Sequence, residues 1–87
     1  MDKFSGNIDT ASNPARGLAL VAPADGAELS QVPKALFVGS GGDLRVRCIE
    51  DEAPITLKNV GNGQILPVRA IQVYASGTTA ADIVALL

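Results

Sequence analysis

Apolar and polar positions alternate most cleanly over residues 43–49. Leu44, Val46 and Cys48 share one parity there, and Arg45 and Arg47 the other. A period of two marks a half-buried strand. Ile55 and Leu57 alternate with Thr56 and Lys58, which predicts the returning strand of a hairpin. Residues 18–22 form a short apolar run between Gly17 and Pro23, the pattern of a short buried strand. Residues 35–38 form another, after Pro33, and Gly39, Gly41 and Gly42 then break it. The longest β-rich stretch spans 65–76. Within it Pro67 lacks the N–H of a central strand, so Leu66-Pro67-Val68-Arg69 is expected at an edge or bulge. Arg69 shares parity with Ile71 and Val73, at the rim of their apolar face.

The last stretch admits two readings. Thr79 and Asp82 have the spacing of a helix capping box. Only 83–87 would follow, little more than one turn, and Ile83 and Val84 are β-branched. A strand is favoured, apolar on both faces, with the core on one side and a partner on the other. Asp25-Gly26 and Gly61-Asn62-Gly63 supply turns. The expectation is a mostly β fold: a small antiparallel sandwich or barrel of roughly six short strands. It occupies residues 18–87, behind an extended N-terminal arm of residues 1–17. The arm is rich in Asp, Asn, Ser, Thr and Gly. Its isolated apolar residues Phe4 and Ile8 are candidates for docking on a neighbour.

Composition changes this picture in one respect. The chain has 87 residues, 47% of them hydrophobic, with nine Gly, two Phe, one Tyr and no Trp. One small domain buries only about 60–65% of the surface its unfolded chain exposes. The apolar surplus therefore points to a subunit interface. The formal net charge is −2, and the seven basic residues are scattered, which argues against a nucleic-acid partner. No apolar run approaches the roughly 20 residues of a membrane span. Residues 1–12 are polar and lack a secretory core, so a cytosol-like compartment is expected.

Candidate chemistry is sparse. The chain contains no His, so Ser–His–Asp and Cys–His arrangements are impossible. Cys48 is the only cysteine and reads as a small buried hydrophobe. Gly39-Ser40-Gly41-Gly42 lacks the Lys-Ser/Thr ending of a phosphate loop and reads as a bulge or connection between strands. Glu50, Asp51 and Glu52 are adjacent rather than alternate, which suits a solvated hairpin tip better than a calcium loop. No catalytic residue, metal site or cofactor is expected.

Three segments in order carry a resemblance. Leu36-Phe37-Val38-Gly39 leads into Gly41-Gly42-Asp43-Leu44. Ile65-Leu66-Pro67-Val68-Arg69 follows, and then Ser76-Gly77-Thr78-Thr79-Ala80-Ala81-Asp82-Ile83-Val84-Ala85-Leu86. Together, over residues 15–87, they resemble the head spike base proteins of gene transfer agents and related tailed phages. Phe37 and Leu87 stand where many members have Tyr, and the acidic tip is more charged than a plain Asp-Gly turn.

The resemblance implies a non-enzymatic virion protein, made in the bacterial cytoplasm and seated at the head vertex. It implies a homo-oligomer of five copies that contacts the major capsid protein and carries a receptor-binding spike fibre. The interface candidates are Phe4, Ile8, Leu66, Arg69, Ile83, Val84, Leu86 and Leu87. The alternatives are a head–tail or tail adaptor and, from another class, a small carbohydrate- or ligand-binding β module. Sugar stacking would have only Tyr74, Phe4 and Phe37 to use.

Overall fold

The structure is a computed structural model that describes residues 14–87. The proposed docking residues Phe4 and Ile8 lie outside the described residues. Seven strands run in chain order: β1 Leu18–Leu20, β2 Ala35–Ser40, β3 Gly42–Cys48, β4 Ile55–Val60, β5 Gln64–Leu66, β6 Ala70–Val73 and β7 Ala81–Leu86. They form two antiparallel sheets. One has four strands in the order β1-β7-β2-β5, and the other has three in the order β4-β3-β6.

The expected count of six becomes seven at Pro67. The 65–76 stretch does not form one strand. It divides into β5 in the four-stranded sheet and β6 in the three-stranded sheet. Residues 67–69 carry the chain from one sheet to the other, and Pro67 stands in no strand. The missing proline N–H makes this the natural break in the ladder.

A second hand-over between sheets lies at Gly41, the single residue between β2 and β3. A Cβ there would fall 2.2 Å from the Val60 carbonyl oxygen, so only glycine fits. The Gly41 N–H donates to Asn62 Oδ1 at 2.6 Å, which ties the corner to the β4–β5 turn. The Gly-rich segment thus bends the chain from sheet to sheet.

Within residues 79–87 the chain forms a strand, β7, and no helix. β7 lies between β1 and β2, with Ala85 opposite both Ala19 and Leu36. Thr79 caps no helix: its Oγ1 accepts the Asp43 N–H at 2.9 Å, and Thr78 Oγ1 accepts the Arg45 N–H at 2.9 Å. The two hydroxyls splice the β6–β7 connection onto β3.

The core lies between the sheets. Leu36, Val38, Ile83, Ala85 and Leu66 face Leu44, Val46, Val60, Ala70 and Val73. Among the described residues, no aromatic ring enters it. The thin aliphatic core follows from a composition poor in Phe, Tyr and Trp.

The 21–34 segment closes one sheet edge. Ala24 N–H donates to the Val73 carbonyl at 2.9 Å and Leu29 N–H to that of Ile71 at 2.8 Å, along the outer side of β6. Gln72 is buried under this segment and donates to the Ala24 and Asp25 carbonyls. Covering an edge in this way protects it from pairing with another chain.

Candidate interaction surface

The two outer faces of the sandwich differ in chemistry. On the three-stranded sheet, Leu44 and Val46 point inward, which leaves Arg45 and Arg47 outward. The Arg45 guanidinium lies 5.0 Å from the centre of the Tyr74 ring. Arg47 donates to Tyr74 Oη at 3.3 Å and pairs with Glu28 at 3.1 Å. These contacts hold the Arg47 pKa above its ordinary value, the Tyr74 hydrogen bond contributing most. Lys58 pairs with Asp43 at 3.1 Å. Hydrogen bonds from the Asn59 N–H and Lys58 hold the Asp43 carboxyl below its ordinary range. This face is a closed network of polar groups with their partners already in place.

The outer face of the four-stranded sheet is apolar. Directly opposed residues of neighbouring strands share a face, so the register fixes who meets whom. Leu20 opposes Val84, Val84 opposes Phe37, and Phe37 opposes Ile65. These four side chains form one row across all four strands. Leu18 opposes Leu86 in a second row beside it. Leu18 is 68% exposed, Leu20 86% and Ile65 56%. Val84, Leu86 and Phe37 are half-buried. A contiguous exposed apolar patch of this kind marks a contact site.

Of the expected interface residues, Val84 and Leu86 lie on this face. Leu66 and Ile83 do not. Both belong to the core, Ile83 with only 2% of its surface exposed, because strand parity turns them inward. Leu87 packs against the core and lines a shallow recess with Arg16, Gly17 and Gln31. Arg69 sits half-buried between β5 and β6, and its carbonyl accepts the Ile49 N–H at 3.1 Å. Leu18, Leu20, Phe37 and Ile65 were missed as surface residues. The 18–22 run reads as a short buried strand, while Phe37 and Ile65 lie in strand stretches whose outward parity only the pairing register shows.

The remaining candidate chemistry is structural. Burial raises the Cys48 thiol pKa, with the Asp51 carboxylate adding to the effect, so its thiolate is disfavoured. Asp51 itself caps the β3–β4 connection, accepting the Cys48 N–H at 3.0 Å. Among the described residues, no three His, Cys, Asp or Glu side chains gather as metal ligands. Among them too, no helix is long and apolar enough to cross a membrane.

The N-terminal exit is fixed at the corner of the apolar face. Lys34 is buried, and its Nζ donates to the Pro14 carbonyl at 3.0 Å. Arg16 N–H donates to the Leu87 carbonyl at 2.7 Å, and Leu87 N–H to that of Gly17 at 2.9 Å. The β1–β7 ladder therefore continues beyond β1 towards Pro14.

No family model and no curated protein matches the chain. A chain in a solved structure does, one described as "Capsid of native GTA particle computed with C5 symmetry". The two share 36% sequence identity over 98% of each chain, with a TM-score of 0.78. At that identity, over nearly the full length of both, the chain belongs to the family of capsid-associated proteins of gene transfer agent particles.

Proposed function

We propose that this protein is a virion structural component of the head spike base type. It sits at the capsid vertex, in a ring of five copies, and anchors a receptor-binding fibre to the shell. It performs no catalysis. The observation that carries this reading is the near full-length match to a chain of a capsid whose structure was computed with five-fold symmetry.

The two faces of the sandwich support it. A protein that joins a shell to an appendage needs two surfaces that do not compete for the same partner. The apolar face of Leu20, Val84, Phe37 and Ile65 suits a permanent contact within the particle. The opposite face, with its self-paired arginines, remains compatible with water.

The test is deletion of the gene followed by imaging and mass spectrometry of the particles. The proposal expects intact heads that have lost both vertex spikes and fibre protein. Particles with normal spikes and a defective head–tail junction or tail would overturn it in favour of an adaptor there.

A further inference from the structure

The β4–β5 turn holds a pair of residues with chemistry that the virion reading does not use. Gly61 and Gln64 close the turn. The Gln64 N–H donates to the Gly61 carbonyl at 3.3 Å, and the Gly61 N–H to Gln64 Oε1 at 2.8 Å. Asn62 and Gly63 are its central residues. Gly63 alone of the two has a positive φ, 70°, as the second central position of a type II turn requires. The whole turn is exposed to water.

Asn62 is the only asparagine of the chain followed by glycine. That order permits a reaction within the backbone. The Gly63 nitrogen loses its proton and attacks Asn62 Cγ. A C–N bond forms, the Cγ–Nδ2 bond breaks, and Nδ2 leaves as ammonia after taking a proton from water. Water then opens the resulting succinimide at either of its carbonyls. One opening gives aspartate, and the other an isoaspartyl link whose main chain runs through Cβ. Glycine has no side chain to shield its nitrogen. Asn59 is followed by Val60, whose branched side chain does shield it.

The fold occupies both reacting groups. The Gly63 N–H donates to the Val38 carbonyl at 2.7 Å, where the turn meets β2. Asn62 Oδ1 accepts the Gly41 N–H at 2.6 Å. The first bond retains the proton that has to leave. The second holds the side-chain amide against the β2–β3 corner. A proton held in this way is released only when that part of the structure opens. We propose that Asn62-Gly63 is a succinimide-forming site gated by the fold, closed while Gly63 is bonded to Val38 and reactive once that end of the β2–β5 pair opens.

The gate works in one direction. The isoaspartyl link lengthens the main chain at a corner without slack. Even a Cβ on Gly41 would lie 2.2 Å from the Val60 carbonyl oxygen and 3.0 Å from the Asn62 nitrogen. A copy that opens and forms this link does not regain the corner, so the modification makes its opening irreversible. Aspartate keeps the acceptor for the Gly41 N–H and is tolerated.

The test holds the purified full-length protein at mildly alkaline pH over a series of urea concentrations. Cleavage after Lys58 and Arg69 releases the 59–69 segment, which contains both Asn59 and Asn62. Tandem mass spectrometry reads each asparagine, and NMR reads hydrogen exchange at the Gly63 N–H in the same samples. Asn62 is expected to convert at least about tenfold faster in the unfolded chain than in the folded one. Asn59 should lag behind it, and conversion at Asn62 should rise in step with Gly63 exchange. A folded protein that converts as fast as the unfolded chain would overturn the gate. So would a Gly63 N–H that stays protected while Asn62 reacts. An unfolded chain that keeps Asn62 intact would remove the site altogether. The isoaspartyl form, separated and returned to native buffer, should unfold at lower urea than the parent and than Asn62→Asp. Refolding with the parent's midpoint would overturn the irreversibility.

Discussion

Leu20 stands directly opposite Val84 in the β1–β7 pair, and Leu20 is 86% exposed while Val84 is half-covered by its neighbours. Covering an exposed leucine contributes about 1.5–3 kcal/mol. That gain is available only to an assembly. Leu20→Ser is therefore expected to leave folding stability within about 0.5 kcal/mol of the parent. The double variant Leu20→Ser, Ile65→Ser should fold normally and be depleted from particles. Urea unfolding and quantitative blotting of particles measure the two effects separately.

Leu36 gives the opposite result. It is fully buried between the sheets. Leu36→Ala removes core contacts and leaves a cavity, which costs about 2–5 kcal/mol. Against a total stability of about 5–15 kcal/mol, its urea midpoint should drop markedly. Any loss from particles should then follow the loss of folded protein.

β7 is the strand on which the four-stranded sheet depends, since both β1 and β2 pair with it. Truncation before Asp82 removes Ile83 and Ala85 from the core and strips β1 of its partner. The expected outcome is insoluble or non-cooperatively unfolding protein, read by solubility and thermal denaturation. A soluble truncated domain with a sharp transition would contradict this role.

Acid should loosen the loop that covers β6. The Asp25 carboxylate accepts the Ser76 hydroxyl and the backbone N–H groups of Ala75 and Ser76. The Ser76 hydrogen bonds, first among the causes, hold its pKa below the ordinary value of 3.8. A carboxyl with a lowered folded pKa adds stability above its unfolded pKa and loses it as pH falls through the folded one. The contribution is thus present at neutral pH and disappears below about pH 4. Asp25→Asn should lower stability at neutral pH and flatten the acid limb of a stability-against-pH curve.

Much of this fold is legible in the chain because strand parity and turn residues act locally. The alternation of Leu44, Val46 and Cys48 against Arg45 and Arg47 marks β3, and Pro67 marks the break between β5 and β6. What is not legible is which sheet each strand joins. A short run such as Leu18-Ala19-Leu20 reads as buried, yet it becomes an exposed edge because β7 takes the central place. The same uncertainty misassigned Ile83 and Leu66, whose run-mates Val84 and Ile65 face outward instead. In a strand apolar on both parities, nothing local distinguishes the core face from the contact face. Long-range register decides it, and register is a property of the assembled sheet.

The most direct measurement of the account is a focused reconstruction of the head vertex in intact particles. It should reveal five copies of the sandwich around the five-fold axis. The Leu20–Val84–Phe37–Ile65 row should be covered by neighbouring protein, and Arg45 and Arg47 should lie on a separate surface. A vertex without this protein, or copies whose apolar row faces open solvent, would contradict it.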